Sequence, residues 1–267
     1  MLNKEKNQPK RERKTMKKTK IFRISFMLFT LAFPTIARTN IKQRFIYQDI
    51  ANTTTLSKGK QELSYRFCLD SYTIKDNHLR SSYNDLTYRI GLTDRVEIGI
   101  NQGYLSASSY YKSYIIDTAS GLTALKAYGK YQILTESKWP VTLSLGGTLV
   151  TPTGSSGSDT IHFYKGGWSP EEFVAISKNI GSWNFGGHFA LLQTDKPASY
   201  SNKSWSLGAI ENKSGLNIEY FGTDDYQLGL VGVTKSNAKG YIQCGLMFPI
   251  DGYEMDWRLI FGAGFNF

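Results

Sequence analysis

The sequence has few of the residues that mark several common classes of protein. Two cysteines in 267 residues exclude a disulfide-dense scaffold. Only one long apolar run occurs, near the N-terminus, and the mean hydropathy is negative, which excludes a bundle of membrane-spanning helices. Hydrophobic residues still make up 40% of the chain, too many for a disordered tail. We therefore expect one compact domain.

The net charge of +10 suggests a nucleic-acid partner until its position is examined. Residues 1–37 hold ten basic and two acidic side chains, whereas the remaining 230 residues hold 22 basic and 20 acidic ones. The excess of positive charge is thus a property of the N-terminus. The pattern does not support a nucleic-acid partner.

The N-terminal 37 residues have the order of a secretory signal peptide. A basic stretch is followed by the apolar residues 24–33, then by Pro34 and by small residues ending at Ala37. Met16 is an alternative start to Met1. A membrane-anchoring helix is the alternative interpretation, but its apolar run falls short of the ~20 residues needed to span a bilayer. Residues 38–60 are expected to form either a periplasmic lead-in or a plug, and residues 61–267 the folded domain.

From about residue 61 the chain repeats segments in which apolar and polar residues alternate. Leu63 and Tyr65 share one face of the first segment, whereas Ser64 and Arg66 share the other, because successive side chains of a strand point to opposite faces. No amphipathic helix occurs. The pattern predicts an all-β fold of about twelve strands, whose apolar series run over 63–69, 86–92, 96–100, 125–133, 141–149, 174–176, 183–191, 205–209, 216–220, 226–230, 242–248 and 257–267.

Three features favour a transmembrane antiparallel β-barrel over a soluble sandwich. Long gaps (70–82, 104–121, 151–170, 194–203) alternate with short ones (93–95, 134–140, 179–182, 211–214), which is typical of outer-membrane barrels. Aromatic residues gather near the strand ends, as interfacial girdles do. The third feature is the charge on the polar face.

Eight charged residues lie near the middle of strands and share the polar parity. In a barrel they would line the pore, because the reversed register would place five cations in lipid at about 2–4 kcal/mol each. In a sandwich they would form a solvated face. The predicted pore-lining residues are Arg66, Arg89, Glu97, Lys126, Lys130, Glu219, Asp256 and Arg258.

The last strand, residues 257–267, ends on phenylalanine and has apolar or small residues at every second position. Trp257, Phe261, Phe265 and Phe267 resemble the C-terminal signal that Gram-negative outer-membrane barrels present to the barrel-assembly machinery. This resemblance implies an outer-membrane location, with the assembly machinery and membrane lipids as partners.

Several short motifs resemble an outer-membrane family named after the meta-cleavage pathway of phenol degradation. They are the segment 88–100 around the turn at Asp94, the segment 130–134, Pro152-Thr153-Gly154, and the terminal Phe265-Asn266-Phe267. The resemblance covers residues 58–267. It implies a barrel, an envelope location and a transporter, and it says little about the solute.

The chain offers no recognisable set of catalytic or metal-binding residues. A phospholipase barrel needs a serine two residues after a histidine on a strand. The residue two positions after His188 is Ala190, so this serine is missing. Cys68 and Cys244 are expected on opposite faces of strands that are not neighbours, and neither has a zinc-ligand companion. We predict no enzyme activity, no metal and no cofactor.

The function expected from these features is passive diffusion through the barrel. Five basic against three acidic lumen residues predict a path with a mild cationic bias, which favours small polar or anionic solutes, aromatic ones among them. The same charges could instead pair across the lumen and plug it. The alternative function is a non-conducting structural or adhesive barrel that acts through the extracellular loops 104–116 and 153–167.

Overall fold

The computed structural model describes residues 53–74, 77–111, 114–155, 168–192, 203–252 and 254–267. These residues form antiparallel strands and no helix long and apolar enough to cross a membrane. The strands are β1 (Gln61–Ile74), β2 (Asn77–Thr93), β3 (Val96–Tyr111), β4 (Tyr114–Leu122), β5 (Lys126–Leu134), β6 (Thr142–Val150), β7 (Ser169–Ile180), β8 (Trp183–Leu192), β9 (Lys203–Glu211), β10 (Leu216–Thr223), β11 (Gln227–Asn237), β12 (Gly240–Asp251) and β13 (Met255–Asn266).

The strands close into a barrel with twelve positions in its wall. Strands that are neighbours in sequence pair with each other, except β4 and β5, and β1 pairs with β13 to complete the ring. The first part of β3, Val96–Asn101, pairs with β5, and its second part, Tyr104–Tyr111, pairs with β4. The strands β4 and β5 therefore share one position in the wall, each covering a different part of β3. The predicted fold class of about twelve antiparallel strands is confirmed.

The outer surface of the barrel is an apolar belt. Leu207, Ile218 and Phe185 are among the exposed side chains, whereas the residues before them, Ser206, Asn217 and Asn184, are buried inside. All backbone groups of a closed barrel are paired between strands, which allows it to cross the hydrocarbon layer. The predicted inward and outward faces are confirmed for most strands.

Two parts of the predicted register are wrong. In β11 the apolar series was assigned to the lipid side, but Leu228 and Leu230 are buried inside the barrel and Val231 is exposed outside. In β13 a bulge shifts the pairing with β1 between Ser71 and Tyr72. As a result Asp256 does not line the lumen.

The bulge places the Asp256 carboxylate on the outer side of the wall. It accepts hydrogen bonds of 2.9 Å from Ser71 Oγ and Thr73 Oγ1, whose positions in β1 share the outward parity of Tyr65. Met255, the residue before it, is buried inside. A bulge adds one residue to a strand and so reverses the alternation beyond it.

The first strands are longer than predicted. Two of the gaps taken as loops, 70–82 and 104–121, belong largely to strands, because β1 continues to Ile74, β2 begins at Asn77, and β3 and β4 form a hairpin. Together these strands extend the wall on the side of the long connections. Residues 194–202 of the gap 194–203 and most of the loop 153–167 lie outside the described residues.

The opposite end of the barrel has short connections. Gly181 and Ser182 alone join β7 to β8, and Gly181 adopts a left-handed φ of +61°, which glycine accepts without a Cβ clash. The start of β1 and the end of β13 meet at this end. By the arrangement of outer-membrane barrels it is the periplasmic end. The predicted signal peptide (1–37) and residues 38–52 lie outside the described residues.

Candidate functional site

The lumen contains charge pairs built directly into the strand register. Four oppositely charged pairs occupy directly opposed positions on neighbouring strands: Glu62 and Arg89, Arg66 and Asp85, Asp70 and Arg258, and Glu97 and Lys130. Opposed side chains of an antiparallel pair have Cβ atoms about 5 Å apart, so each pair is in contact reach without any special backbone geometry.

Two of these pairs join into one chain of four ionised groups near the periplasmic end. Arg89 forms an ion pair with Glu62 and lies 3.8 Å from Glu97, which in turn lies 3.4 Å from the Lys130 ammonium. Each of the four residues is at most 2% exposed. Tyr128 Oη also donates a 3.0 Å hydrogen bond to Glu97. These charges are paired and covered by protein, so they do not present free charge to a solute.

The segment 53–58, which precedes β1, lies against this chain of charges. The Leu56 backbone N–H donates to Glu97 Oε2 at 2.8 Å, and Lys130 Nζ donates to the Thr54 carbonyl at 2.9 Å. The buried cation and anion thereby bind backbone groups that would otherwise be unpaired. Residues 53–58 therefore lie on the inner side of the wall, and the two alternatives for residues 38–60 stay predictions.

Hydroxyl groups hold the beginning of the segment farther around the wall. Thr53 Oγ1 and Ser177 Oγ lie 2.6 Å apart, and Ser144 Oγ donates to the Thr53 carbonyl. Thr55 Oγ1 donates to Gln132 Oε1 at 3.0 Å. The segment therefore crosses the inside of the wall from β7 to β3 and narrows this side of the lumen.

The other side of the lumen, on β8 to β12, has a different character near the periplasmic end. Its inward residues there include uncharged ones that are at most 7% exposed: Asn184, Ile210, Asn217, Thr234 and Gln243. They are neighbours in the register, since Ile210 opposes both asparagines and Thr234 opposes Gln243. The side-chain oxygens of the four polar residues are buried and accept no hydrogen bond within the described part of the chain.

Toward the extracellular end the lumen combines one ionic cluster with an apolar one. Arg258 donates to Asp70 through Nε at 2.6 Å and to Tyr72 Oη through Nη2 at 3.1 Å. Beside them lies an apolar cluster inside the barrel, which explains why the leucines of β11 point inward. Its buried members are Cys68, Phe221, Leu228, Leu230, Met247, Met255 and Ile260.

Seven of the eight predicted pore-lining residues face the interior. Arg89, Glu97, Lys130 and Glu219 are almost fully buried, and three others are partly exposed: Arg66, Lys126 and Arg258. Asp256 is the exception. Whether these residues control permeation stays a prediction.

Sequence reasoning missed three acidic residues that face inward, Glu62, Asp85 and Glu171, and it placed Asp70 on the polar face without counting it among the pore-lining residues. Glu62, Asp85 and Glu171 lie just beyond the predicted ends of their strands, so continuing the same alternation by one to three residues would have found them. Lys126 interacts electrostatically with Glu171, and Arg66 Nη2 lies 2.7 Å from Asp85. With these acids included, six anions face five cations among the described lumen residues, so the expected cationic bias loses its basis.

The described residues contain no group of three or more side chains with metal-ligand character. Cys68 and Cys244 are free thiols on opposite faces of the wall. His188 packs its ring against Phe173, with the ring centroids 5.5 Å apart. Trp257, Phe261, Phe265 and Phe267 are all exposed at or just beyond the seam strand β13, and their role as an assembly signal stays a prediction.

No family model matches this chain, and no curated protein sequence matches it. Among solved structures it is similar to an outer membrane channel from Pseudomonas putida F1, with 17% identity, a TM-score of 0.62, and coverage of 81% of this chain and 98% of that chain. It is also similar to the β domain of the Bordetella autotransporter BrkA (13% identity, TM-score 0.47, 79% and 99% covered). A third similar structure is the Ralstonia pickettii toluene transporter TbuX (7% identity, TM-score 0.42, 88% and 97% covered).

The similarity to the Pseudomonas putida structure shows the fold, and the two with TM-scores below 0.5 are too remote to carry an argument. Together with the apolar outer belt, this fold defines the class of protein. The chain is a transmembrane β-barrel of the Gram-negative outer-membrane type. The barrel and the outer-membrane location that the family resemblance implied are confirmed.

Proposed function

We propose that the chain is an outer-membrane channel through which small polar solutes diffuse passively, and that residues 53–58 narrow its periplasmic half. The observation that carries this proposal is the polar interior of the closed wall. The segment covers part of it, but polar side chains that water can reach remain, since the side chains of Arg66 and Arg258 are 21% and 24% exposed. Accessible polar side chains inside a closed barrel support a hydrated path.

The ion pairs of the lumen support weak charge selectivity. Arg66, Lys130 and Arg258 each contact a carboxylate on the neighbouring strand. A paired cation attracts a passing anion much less than a free one does. The preference for anionic solutes that the sequence suggested therefore has no support in the lumen, and size and hydrogen bonding become the expected criteria of selection. The Pseudomonas putida channel gives the proposal independent support from a similar fold.

Conductance in a planar bilayer tests the proposal. The refolded chain 38–267 is compared with the shortened chain 59–267, which removes both the side-chain and the backbone contacts of residues 53–58. We expect small steps from the first protein and larger, longer-lived steps from the variant, both with reversal potentials near zero in a salt gradient. A variant that folds, as heat-modifiable migration on gels would show, and that stays silent would contradict the proposal.

A non-conducting adhesive barrel is the second candidate. The β3–β4 hairpin supports it, because Tyr114, Ile115 and Ile116 are more than half exposed at its tip. The hairpin also leaves one edge of β4 without a partner strand among the described residues. An exposed strand edge is a site where another chain can add. Loss of surface binding on removal of residues 112–118, with unchanged conductance, would favour this function.

A further inference from the structure

The periplasmic end of the barrel carries many more cationic than anionic side chains. Among the described residues of this end, eight are cationic: Lys58, Lys60, Arg95, Lys138, Lys178, Lys213, Lys235 and Lys239. Three side chains are anionic: Asp94, Glu136 and Glu211. We call the eight cations the cationic rim. All of them are exposed except Lys235, which is partly exposed.

The three carboxylates accept hydrogen bonds from backbone N–H groups. Asp94 accepts the Lys58 N–H at 3.0 Å, and Glu136 accepts the Asn179 N–H at 2.8 Å. Glu211 accepts two backbone N–H groups of the turn that follows it. No cation of the rim forms an ion pair with a carboxylate in the part of the chain that the structure describes. The rim therefore differs from the lumen, where cations are paired.

The rim lies at the level where lipid headgroups are expected. Trp139 follows Lys138 and is 55% exposed, and Ile180 follows Lys178 by two positions on the outward face of β7. Phe267 is exposed at the same end, next to the start of β1. Exposed tryptophan at a strand end is typical of the membrane–water interface. Lysines beside such residues place their ammonium groups among the phosphates.

We propose that the cationic rim binds the anionic headgroups of phospholipids in the periplasmic leaflet, such as phosphatidylglycerol. Lysine side chains near an anionic lipid surface are attracted to it, and the eight cations of the rim exceed the three anionic side chains of this end by five. The attraction is specific to this end of the barrel. The described turns at the extracellular end of β10 to β13 are acidic instead, with Asp224, Asp225, Asp251, Glu254 and Asp256. The proposal does not depend on conduction.

Tryptophan quenching by brominated lipids tests this proposal on the chain 38–267 refolded in phosphatidylcholine vesicles. Added brominated phosphatidylglycerol is expected to quench more strongly than added brominated phosphatidylcholine, and high salt should abolish the difference. The variant Lys138→Gln, Lys178→Gln, Lys213→Gln, Lys239→Gln should lose the preference by at least about fivefold, the factor that corresponds to 1 kcal/mol.

The matched control is Lys203→Gln, which removes one cation at the extracellular end. It should leave the preference unchanged. Equal quenching by both lipids in the unaltered protein would overturn the proposal, as would an equal loss in the control. Absence of a lipid preference combined with salt-sensitive sedimentation on purified peptidoglycan would overturn it in favour of the anionic cell wall as partner.

Discussion

The two sides of the lumen use polar residues in opposite ways. On β1 to β7 the chain of Glu62, Arg89, Glu97 and Lys130 is paired within itself and binds the backbone of residues 53–58. On β8 to β12 the inward polar residues are uncharged except for Glu219, and several of their oxygens accept no hydrogen bond within the described part of the chain. Charge inside a barrel therefore does not by itself mark the path of a solute. Here paired charge fixes a segment of the chain.

Removing the central anion should have the largest effect. Glu97→Ala leaves the buried Lys130 ammonium without its carboxylate partner, and breaking a buried pair on one side costs about 3–5 kcal/mol. The free energy of unfolding, measured by urea titration of the barrel refolded in vesicles, should fall by that amount. The control on β8 to β12 is Gln243→Leu, which replaces an uncharged side chain whose oxygen accepts no hydrogen bond within the described residues and should cost less than about 1 kcal/mol. Equal losses would erase the distinction between the two sides.

Releasing the beginning of the segment should have the next largest effect. The double variant Ser144→Ala, Ser177→Ala removes the two hydroxyls that hold Thr53, worth about 1 kcal/mol each. Hydrogen exchange of residues 53–58, followed by mass spectrometry, should accelerate about 30-fold. Ser206→Ala, a buried serine on the uncharged side, is the control and should leave this exchange unchanged. Unaltered exchange in the double variant would mean that the hydroxyls do not hold the segment.

A double-mutant cycle should separate buried from half-exposed charge pairs. Arg66 is 21% exposed and its pair with Asp85 should show a coupling energy of about 1 kcal/mol, within the range of cross-strand ion pairs. The fully buried pair Glu97 and Lys130 should show a larger coupling in the same unfolding assay. A larger coupling for Arg66 and Asp85 would contradict the view that burial determines the strength of these pairs.

The smallest expected effect is a change in stability that differs in sign between the two sides of the lumen. Thr234→Val removes a buried hydroxyl that lacks a partner and should leave stability unchanged or raise it by up to about 1 kcal/mol. Thr142→Val is the matched control, because this buried hydroxyl accepts the Glu136 N–H and its loss should lower stability. Thermal unfolding of the two variants gives the comparison directly. A stability loss in Thr234→Val would show that its hydroxyl has a structural partner.

The strands of the membrane region were predictable because lipid imposes alternation on their outer face. That constraint ends where the wall leaves the membrane, so residues 70–82 and 104–121 resemble loops although they belong largely to strands. Alternation could not predict which face of β11 points inward. Leu228 and Leu230 pack inside the barrel, where the lumen itself is apolar. Asp256 was misplaced because a bulge leaves no local signature.

For the candidate site, the alternation of side chains along each strand identified which charged residues point inward. It did not identify the residues with which they form ion pairs. Asp85 lies one residue before the predicted start of its strand, and pairing depends on register, which no single strand reveals. The inward course of residues 53–58 carries no periodic pattern, because its hydrogen bonds use mostly backbone groups.

The opposed charge pairs also have a consequence for assembly. A slip of one residue between β1 and β2 would turn one strand inside out. A slip of two residues would keep the faces but bring Arg66 opposite Tyr83 or Thr87 and separate Glu62 from Arg89, so both pairs would break at once. At the seam, Asp70 and Arg258 impose the same condition on the closure of β1 with β13. The opposed pairs therefore favour the native register during assembly, because a misaligned wall would leave uncompensated charge in its interior.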